Sequence, residues 1–507
     1  MESSIRSSHT FIEKLARKLP LLFLLYVAAL YGTTAVLQDG LFERDGYYHA
    51  RFAEMMPERG LDREFQWTQL STWRERFCDK EFLYHLAMMP FAQIGDDPIF
   101  GARLFAVLLS VTVMAGLYLV LRAHTVPWPV FFAALPFAAG GLFLARLGMI
   151  RSHVLSMALL MLGMHFLLQS RWRALFVLGF IYAWSYTMPF ILLMTAIPFV
   201  AGVWIKGEGL NWKLPAAAGI ASALGLAIHP YSPETLESFL TYLQVFQIGM
   251  QGTRSSGFEL GNEIYPYAFT VFFNIYPLVV VLVPALILFA VWQWKQLTAS
   301  TVGVILSTLL WVAMTAASAR FVEYSVLLLA LACALAIRDT RSVDFGIGKI
   351  FSLNKDMRRI FDITAVAILL GLHIRSMTFY TYYQTQAAPP RRFTGVSQWM
   401  EKNLKPGETV INLFWDDFPE LFYDGSGQKY LWGLDPTYSI REDKEKAALL
   451  EQFRSHQLLL DGKRMKESFQ SRVLVLRTRR EAGFPELAFP PFHKVYGDTS
   501  GVVYVIK

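Results

Sequence analysis

Apolar stretches of about 17 to 25 residues, the length that crosses ~30 Å of hydrocarbon, recur from the N-terminus to about residue 377. They lie at 20–37, 100–121, 128–145, 153–169, 174–188, 190–205, 213–229, 268–293, 299–317, 321–337 and 360–377, which predicts a mainly α polytopic membrane bundle of about 11 to 13 transmembrane helices. The first run follows "MESSIRSSHTFIEKLARKLP". That order matches a signal peptide, but no small-residue cleavage site follows, so it reads as a retained first helix. After residue 377 the pattern changes. The runs "ETVINLFW", "RVLVLRT" and "GVVYVIK" read as strands, and "REDKEKAALLEQFRSHQLLL" reads as helix. The expected division is a membrane domain over 1–377 and a small α/β domain over 378–507, joined by the Pro-marked linker "QTQAAPPRRF".

Composition supports this reading. Of 507 residues, 54% are hydrophobic and only 17% charged, too apolar for a soluble globular protein. The net charge of +7 does not point to nucleic acid, because Lys and Arg fall in short groups between apolar runs. With the basic N-terminus cytoplasmic, alternate loops hold Arg122, Arg171 with Arg173, Lys206 with Lys213, Lys295, and "RDTRSVDFGIGKIFSLNKDMRR". One assignment satisfies the positive-inside rule loop after loop. Cys78 and Cys333 fall at different expected depths, which argues against a disulfide framework.

The same assignment sends the unusual polar residues to the other face: Asp45 and His49, Arg146, Arg151 and His153, Glu259 and Glu263, and Arg320 with Glu323. Ionisable groups near hydrocarbon are costly and mark substrate paths or reaction sites. Asp45 and Glu263 suit a hard divalent cation or a proton. Arginines on the same side suit phosphate, which the guanidinium fork binds through pairs of oxygens. Carboxylates, a metal and arginines at a membrane surface describe a site for a lipid-linked phosphate, with a sugar as the moving group.

"RDGYYHARFAE" resembles the first acidic motif of the GT-C membrane glycosyltransferases, most closely that of the oligosaccharyltransferase catalytic subunit. "GARLFAVLLSVTVMAGLYLVL", "FLARLGMIRSHVLSMALLM", "SARFVEYSVLLLALACAL" and "VSQWMEKNLKPGETVINLFWDDFPELFYDG" follow in the family's order. The resemblance implies that Asp45 is a metal ligand near the acceptor nucleophile and Glu263 a second acidic group, with Glu259 the weaker candidate. It also implies that Arg320 holds the donor phosphate, that the metal is divalent (Mn²⁺ or Mg²⁺), and that Trp415 and Asp416 stand on the acceptor side. The implied partners are a polyprenyl-linked sugar donor, a protein or glycan acceptor, and membrane lipid. The implied place is the inner (cytoplasmic) membrane, with site and C-terminal domain on the periplasmic or external face. Two departures stand out. Arg151, Ser152 and His153 occupy the second acidic motif, so the metal set becomes Asp45, His153 and Glu263, with Arg151 as an alternative that neutralises phosphate directly. "FWDDFPE" stands in place of Trp-Trp-Asp-Tyr-Gly, which carries no inference to an asparagine acceptor.

Plainer roles compete for several residues. Asp45–Gly46 is a common turn pair, His49 suits packing as well as ligation, and Glu323 and Tyr324 suit Arg320 as structural partners. Lys80 and Glu81 read as caps of an interfacial helix, with Asp79 and His85 open. "YLWGLDPTY" reads as an aromatic-packed turn or an acceptor-side wall. The leading function is sugar transfer from a polyprenyl phosphate or pyrophosphate. A transporter of lipid-linked sugars would show internal repeats and interrupted helices near the midplane, and the sequence shows neither. A non-catalytic assembly protein would fit the lost acidic pair.

Overall fold

The computed structural model describes residues 2–38, 40, 41, 43–251, 261–340, 355–387, 393–425 and 427–507. Its membrane unit consists of α1 (Glu2–Leu37), α2 (Asp45–Arg59), α3 (Phe82–Ala92), α4 (Pro98–Ala123), α5 (Pro129–Ala134), α6 (Gly141–Leu147), α7 (Ser152–Leu168) and α8 (Trp172–Ser185). It continues with α9 (Ile191–Ile205), α10 (Lys213–Ala227), α11 (Glu234–Gln251), α12 (Phe269–Ile275), α13 (Pro277–Trp292), α14 (Ala299–Ala317), α15 (Val322–Thr340) and α16 (Lys355–Ala387). Every apolar run read from the sequence falls on helix.

The runs are not eleven straight spans. Among the described residues, five helices are long and apolar enough to cross a membrane, or up to seven if each of two bent pairs counts as one span. The α5–α6 pair bends by 106° and the α12–α13 pair by 99°. Hydropathy windows register apolar residues and are blind to such breaks. Pro277 opens α13 without an N–H to continue α12. Gly140, at the other break, packs so closely on it that an added Cβ would come within 2.3 Å of the Ile275 carbonyl oxygen. The two breaks thus lock against each other, and α6 is turned to deliver Arg146. The α7, α9 and α10 helices are shorter than a full span. With these helices the chain is a multi-pass membrane protein by length and composition of its helices.

The C-terminal unit begins at α17 (Thr394–Asn403) and adds α18 (Phe418–Asp424), α19 (Thr437–Glu442), α20 (Lys444–Arg454), α21 (Gly462–Phe469) and α22 (Thr478–Glu481). These surround one sheet of β1 (Thr409–Asn412), β2 (Lys429–Tyr430), β3 (Val473–Arg477), β4 (Phe492–Gly497) and β5 (Gly501–Ile506) in the order β2-β1-β3-β5-β4. The β1–β2 and β1–β3 pairs are parallel, and β5 is antiparallel to both β3 and β4. All three strands expected from sequence form, and the sheet adds two more. The helix expected over 360–377 runs on to Ala387. Part of the expected linker, residues 388–392, lies outside the described residues.

The two units are stitched together by the segment after α2. Gln69 and Leu70 donate their N–H groups to the carbonyls of Tyr430 and Leu431 at 2.7 Å, and Tyr430 donates back to Trp67 at 2.7 Å. Rings of this segment (Phe65, Trp73, Phe77) share one buried cluster with Phe418, Phe422 and Tyr438 of the C-terminal unit. The segment from α2 to α3, which leads to Lys80, is therefore held between membrane helices and sheet.

Candidate active site

A cavity of about 450 Å³ opens along this seam. Its walls include Asp45, Arg151, Glu263, Arg320, Trp415 and Asp416, brought together from both units. Local structure explains the approach of the first two. The N-terminus of α2 has no capping side chain at Arg44, but Glu43 accepts the Asp45 N–H at 2.7 Å and satisfies one of the orphan donors. Gly46 then lies against Leu41 and Ile150. A Cβ there would stand 2.7 Å from Leu41 Cδ1 and 3.2 Å from Ile150 Cβ. The Asp-Gly pair is thus a close-packing device that brings Asp45 next to the residue after Ile150.

That residue is Arg151, whose Nη2 lies 2.8 Å from Asp45 Oδ2. Its Nη1 lies 3.2 Å from Glu263 Oε1 and 3.9 Å from Glu43 Oε1. Glu263 also accepts from Arg146 at 2.9 Å and stands 3.7 Å from Arg320. A guanidinium therefore bridges the two carboxylates expected to share a cation. His153 does not join them. It is buried at the start of α7, and its Nε2 is 2.9 Å from the Arg146 carbonyl oxygen. The expected metal set of Asp45, His153 and Glu263 does not assemble as a shell around an open position, and Arg151 occupies the place of the charge. The residues present do not fit a divalent cation there. Glu259 lies outside the described residues.

Burial dominates the electrostatics. It pushes the Glu43 carboxyl up to about 8, helped by the neighbouring Asp45 charge. Burial also raises Asp45 above the ordinary carboxylate range, against the pull of Arg151. At Glu263 burial opposes ionisation, but Arg151 and Arg146 outweigh it and hold the carboxyl at about 2. The cavity thus pairs one firmly ionised carboxylate with two that take up protons readily.

Two cations remain under-committed. The Arg320 Nε is buried without a hydrogen-bond partner, and its guanidinium lies 5.3 Å from the Tyr242 ring. Glu323 does not serve as its partner. Glu323 accepts from Arg146 at 2.7 and 3.1 Å and is fully buried, while Tyr324 bonds Ser156 at 2.7 Å. Lys80, expected to cap a surface helix, instead faces the cavity among Trp73, Tyr242 and Tyr438 at 5.4 to 5.9 Å and, among the described residues, forms no ion pair. Burial opposes its charge, yet Tyr438, Glu81 and Asp435 hold its pKa above the usual value. The sequence signal for it was three ionisable residues, Asp79 to Glu81, set directly before an apolar helix.

On the far wall stand Trp415, Asp416, Leu434, Asp435 and Pro436. Asp416 is engaged by Arg44 at 2.7 Å and Arg480 at 2.7 Å. The "YLWGLDPTY" segment is packed through its aromatics: Tyr430, Trp432 and Tyr438 are buried, and the tip between them lines the cavity.

No protein-family model and no curated protein matches the sequence. The fold is similar to that of the Archaeoglobus fulgidus oligosaccharyltransferase in the apo form, with TM-score 0.62 and 14% identity over 91% of this chain and 70% of that one. The same archaeal protein in complex with Zn and sulfate gives a TM-score of 0.56 at 14% identity, over 96% of this chain and 73% of that one. ArnT from Cupriavidus metallidurans bound to undecaprenyl phosphate gives 0.54 at 10% identity, over 96% of this chain and 97% of that one. Identity this low speaks to architecture alone, and the architecture of this chain is the fold that these membrane proteins share.

Proposed function

We propose that the protein is a membrane glycosyltransferase that moves a sugar from a polyprenyl phosphate or pyrophosphate donor to an acceptor on the external face of the inner membrane. The observation that carries this reading is the pair of under-committed cations, Arg320 and Lys80, facing the same cavity as Asp45. A buried cation persists where an anion meets it, and a lipid phosphate between Arg320 and Lys80 would supply that anion. The undecaprenyl phosphate in the ArnT structure supports the same donor class for this fold.

In the proposed reaction an acceptor hydroxyl or amide attacks the anomeric carbon, and the bond from that carbon to the phosphate oxygen breaks. The acceptor proton passes to Asp45, whose raised affinity for protons suits a base. The leaving phosphate gains negative charge, which Arg320 and Lys80 neutralise without reorganising. Arg151 fixes Asp45 and Glu263 in place, and no step is routed through a metal between them. Trp415 and Asp435 on the opposite wall are placed to contact the acceptor.

The test is reconstitution in vesicles with undecaprenyl-phosphate- and undecaprenyl-pyrophosphate-linked sugars and extracted acceptors. The expected result is release of the undecaprenyl phosphate or pyrophosphate, lost in Asp45→Asn. Movement of intact donor across the bilayer without bond cleavage would make the protein a transporter. Donor binding without release or movement would make it a non-catalytic relative of the fold.

A further inference from the structure

Beside the cavity, and separate from the Asp45–Arg151–Glu263 cluster, two histidines and a glutamate converge. His49 on α2, Glu81 before α3 and His85 on α3 each present one ligand atom, and these atoms all lie within 4.8 Å of one another. His49 Nδ1 is 2.8 Å from His85 Nε2 and 3.8 Å from Glu81 Oε2. We propose that His49, Glu81 and His85 bind a transition-metal ion of the Zn²⁺ class, with its remaining coordination position open to the cavity.

Several features support a ligand set over a packed pair of rings. At 2.8 Å the two ring nitrogens share one hydrogen, and a cation that replaces it meets two lone pairs aimed at one point. Tetrahedral Zn–N bonds place two nitrogens roughly 3.3 Å apart, so the rings need to part by only ~0.5 Å. Two of the three ligands are also held from behind. His85 donates its Nδ1–H to Asp79 at 2.8 Å, which fixes the ring and leaves Nε2 to the centre, the arrangement that orients metal-binding histidines. Glu81 Oε1 accepts from Ser152 Oγ at 2.6 Å and Thr187 Oγ1 at 2.9 Å, which leaves Oε2 toward His49.

Charge favours a cation here and not at the neighbouring cluster. Among the described residues, the ion-pair partners of Asp79 and Glu81 are His85 and His49, so two carboxylates face two imidazoles with no guanidinium between them. Of the two cations that oppose positive charge at His49, Arg151 and Lys80, the stronger is Arg151, already matched by Asp45 and Glu263. Two imidazoles with one carboxylate select Zn²⁺, Co²⁺ or Ni²⁺ over Mg²⁺ or Ca²⁺, which take oxygen shells. His85 is 1% exposed, whereas His49 and Glu81 line the cavity wall. The ion would therefore be anchored from the buried side and reachable from the substrate side, as in three-ligand sites that take a water or a substrate oxygen.

The full-length, tag-free protein in detergent, stripped with chelator, is titrated with Co²⁺ alone and then with Zn²⁺. The expected result is one equivalent of Co²⁺ with visible absorption bands, displaced by Zn²⁺, and an X-ray absorption spectrum showing two imidazoles. His85→Gln should abolish the bands, and Asp79→Asn should weaken binding about ten- to a hundredfold. Asp45→Asn and His153→Gln should bind as wild type does, because Asp45 pairs with Arg151 and His153 meets the Arg146 carbonyl, both outside this set. Should His85→Gln fail to fold, the wild-type spectrum decides: oxygen-only coordination overturns the site. Absence of micromolar binding, unchanged bands in His85→Gln, or loss of binding in Asp45→Asn would each overturn it too. None of these readouts depends on sugar transfer.

Discussion

Arg44 and Asp45 are consecutive, yet they belong to ionic clusters of opposite kinds. Arg44 joins Arg477 and Arg480 around Asp416, Asp417 and Glu420, and each of those carboxylates has an arginine nitrogen within 3.0 Å. That cluster fastens the C-terminal unit to the head of α2. Asp45 belongs to the cavity cluster, where Arg320 meets Glu263 at 3.7 Å and Lys80 forms no ion pair among the described residues. A cluster closed on itself resists separation of the units. One left open toward a cavity keeps binding capacity for something that is not protein. Asp416 belongs to the closed cluster even though it touches the cavity beside Trp415.

The largest effect is expected where the closed cluster is most buried. Arg477, 5% exposed, pairs with Asp417 and Glu420 at 2.7 Å each. Arg477→Ala removes the nearest partner of both carboxylates, leaving Asp417 to Arg480 at 3.0 Å and Glu420 to Arg44 at 3.4 Å, and should cost about 3 kcal/mol of stability. Denaturation of the purified variant at wild-type temperature would show that this cluster does not hold the units together.

Asp45→Asn comes next and should act on chemistry instead. Turnover is expected to fall by about two orders of magnitude or more, with the melting temperature kept, since the amide retains shape but accepts no proton. Wild-type turnover in vesicles would remove Asp45 from the reaction. A smaller loss belongs to Arg320→Gln, which should weaken donor binding by about 1.5–3 kcal/mol, roughly ten- to a hundredfold. Lys at this position should rescue only in part, because it lacks the fork. If stability falls while donor affinity stays, Arg320 is structural and the phosphate binds elsewhere.

The smallest effect is a pH slope. Glu43 is pushed up from 4.5 to about 8, so between those values the folded protein holds a proton that the unfolded chain releases. The stabilisation is fully present below 4.5 and is lost as pH rises toward 8, at up to about 1.4 kcal/mol per pH unit. Glu43→Gln should flatten this part of the profile of melting temperature against pH. An unchanged slope would place the proton on another group.

Much of this was legible in the chain. Apolar run lengths located the helices, and the strands of the C-terminal unit followed from short β-branched runs. The order and sidedness of Asp45, Arg151, Glu263 and Arg320 pointed to one site because topology forces alternate loops to the same face. His153 was misplaced for a local reason: adjacency to Arg151 put it at the motif, but the first turn of α7 aims it at the Arg146 carbonyl. Lys80 and Glu81 were read as caps because a polar group before an apolar helix fits that role equally well.

What the sequence determined by itself was what depends on residues near one another: helix and strand type and membrane character. Pairings were decided by tertiary structure alone. That Glu323 meets Arg146 across 177 positions and leaves Arg320 under-committed, that Gly46 lets Asp45 reach Arg151, and that His49 stands 2.8 Å from His85 all depend on helix ends packed at the seam. A charge in a sequence carries a sign but no partner. In a buried site the partner sets whether that charge holds the fold together or stays free to bind, because desolvation makes every unpaired buried charge costly.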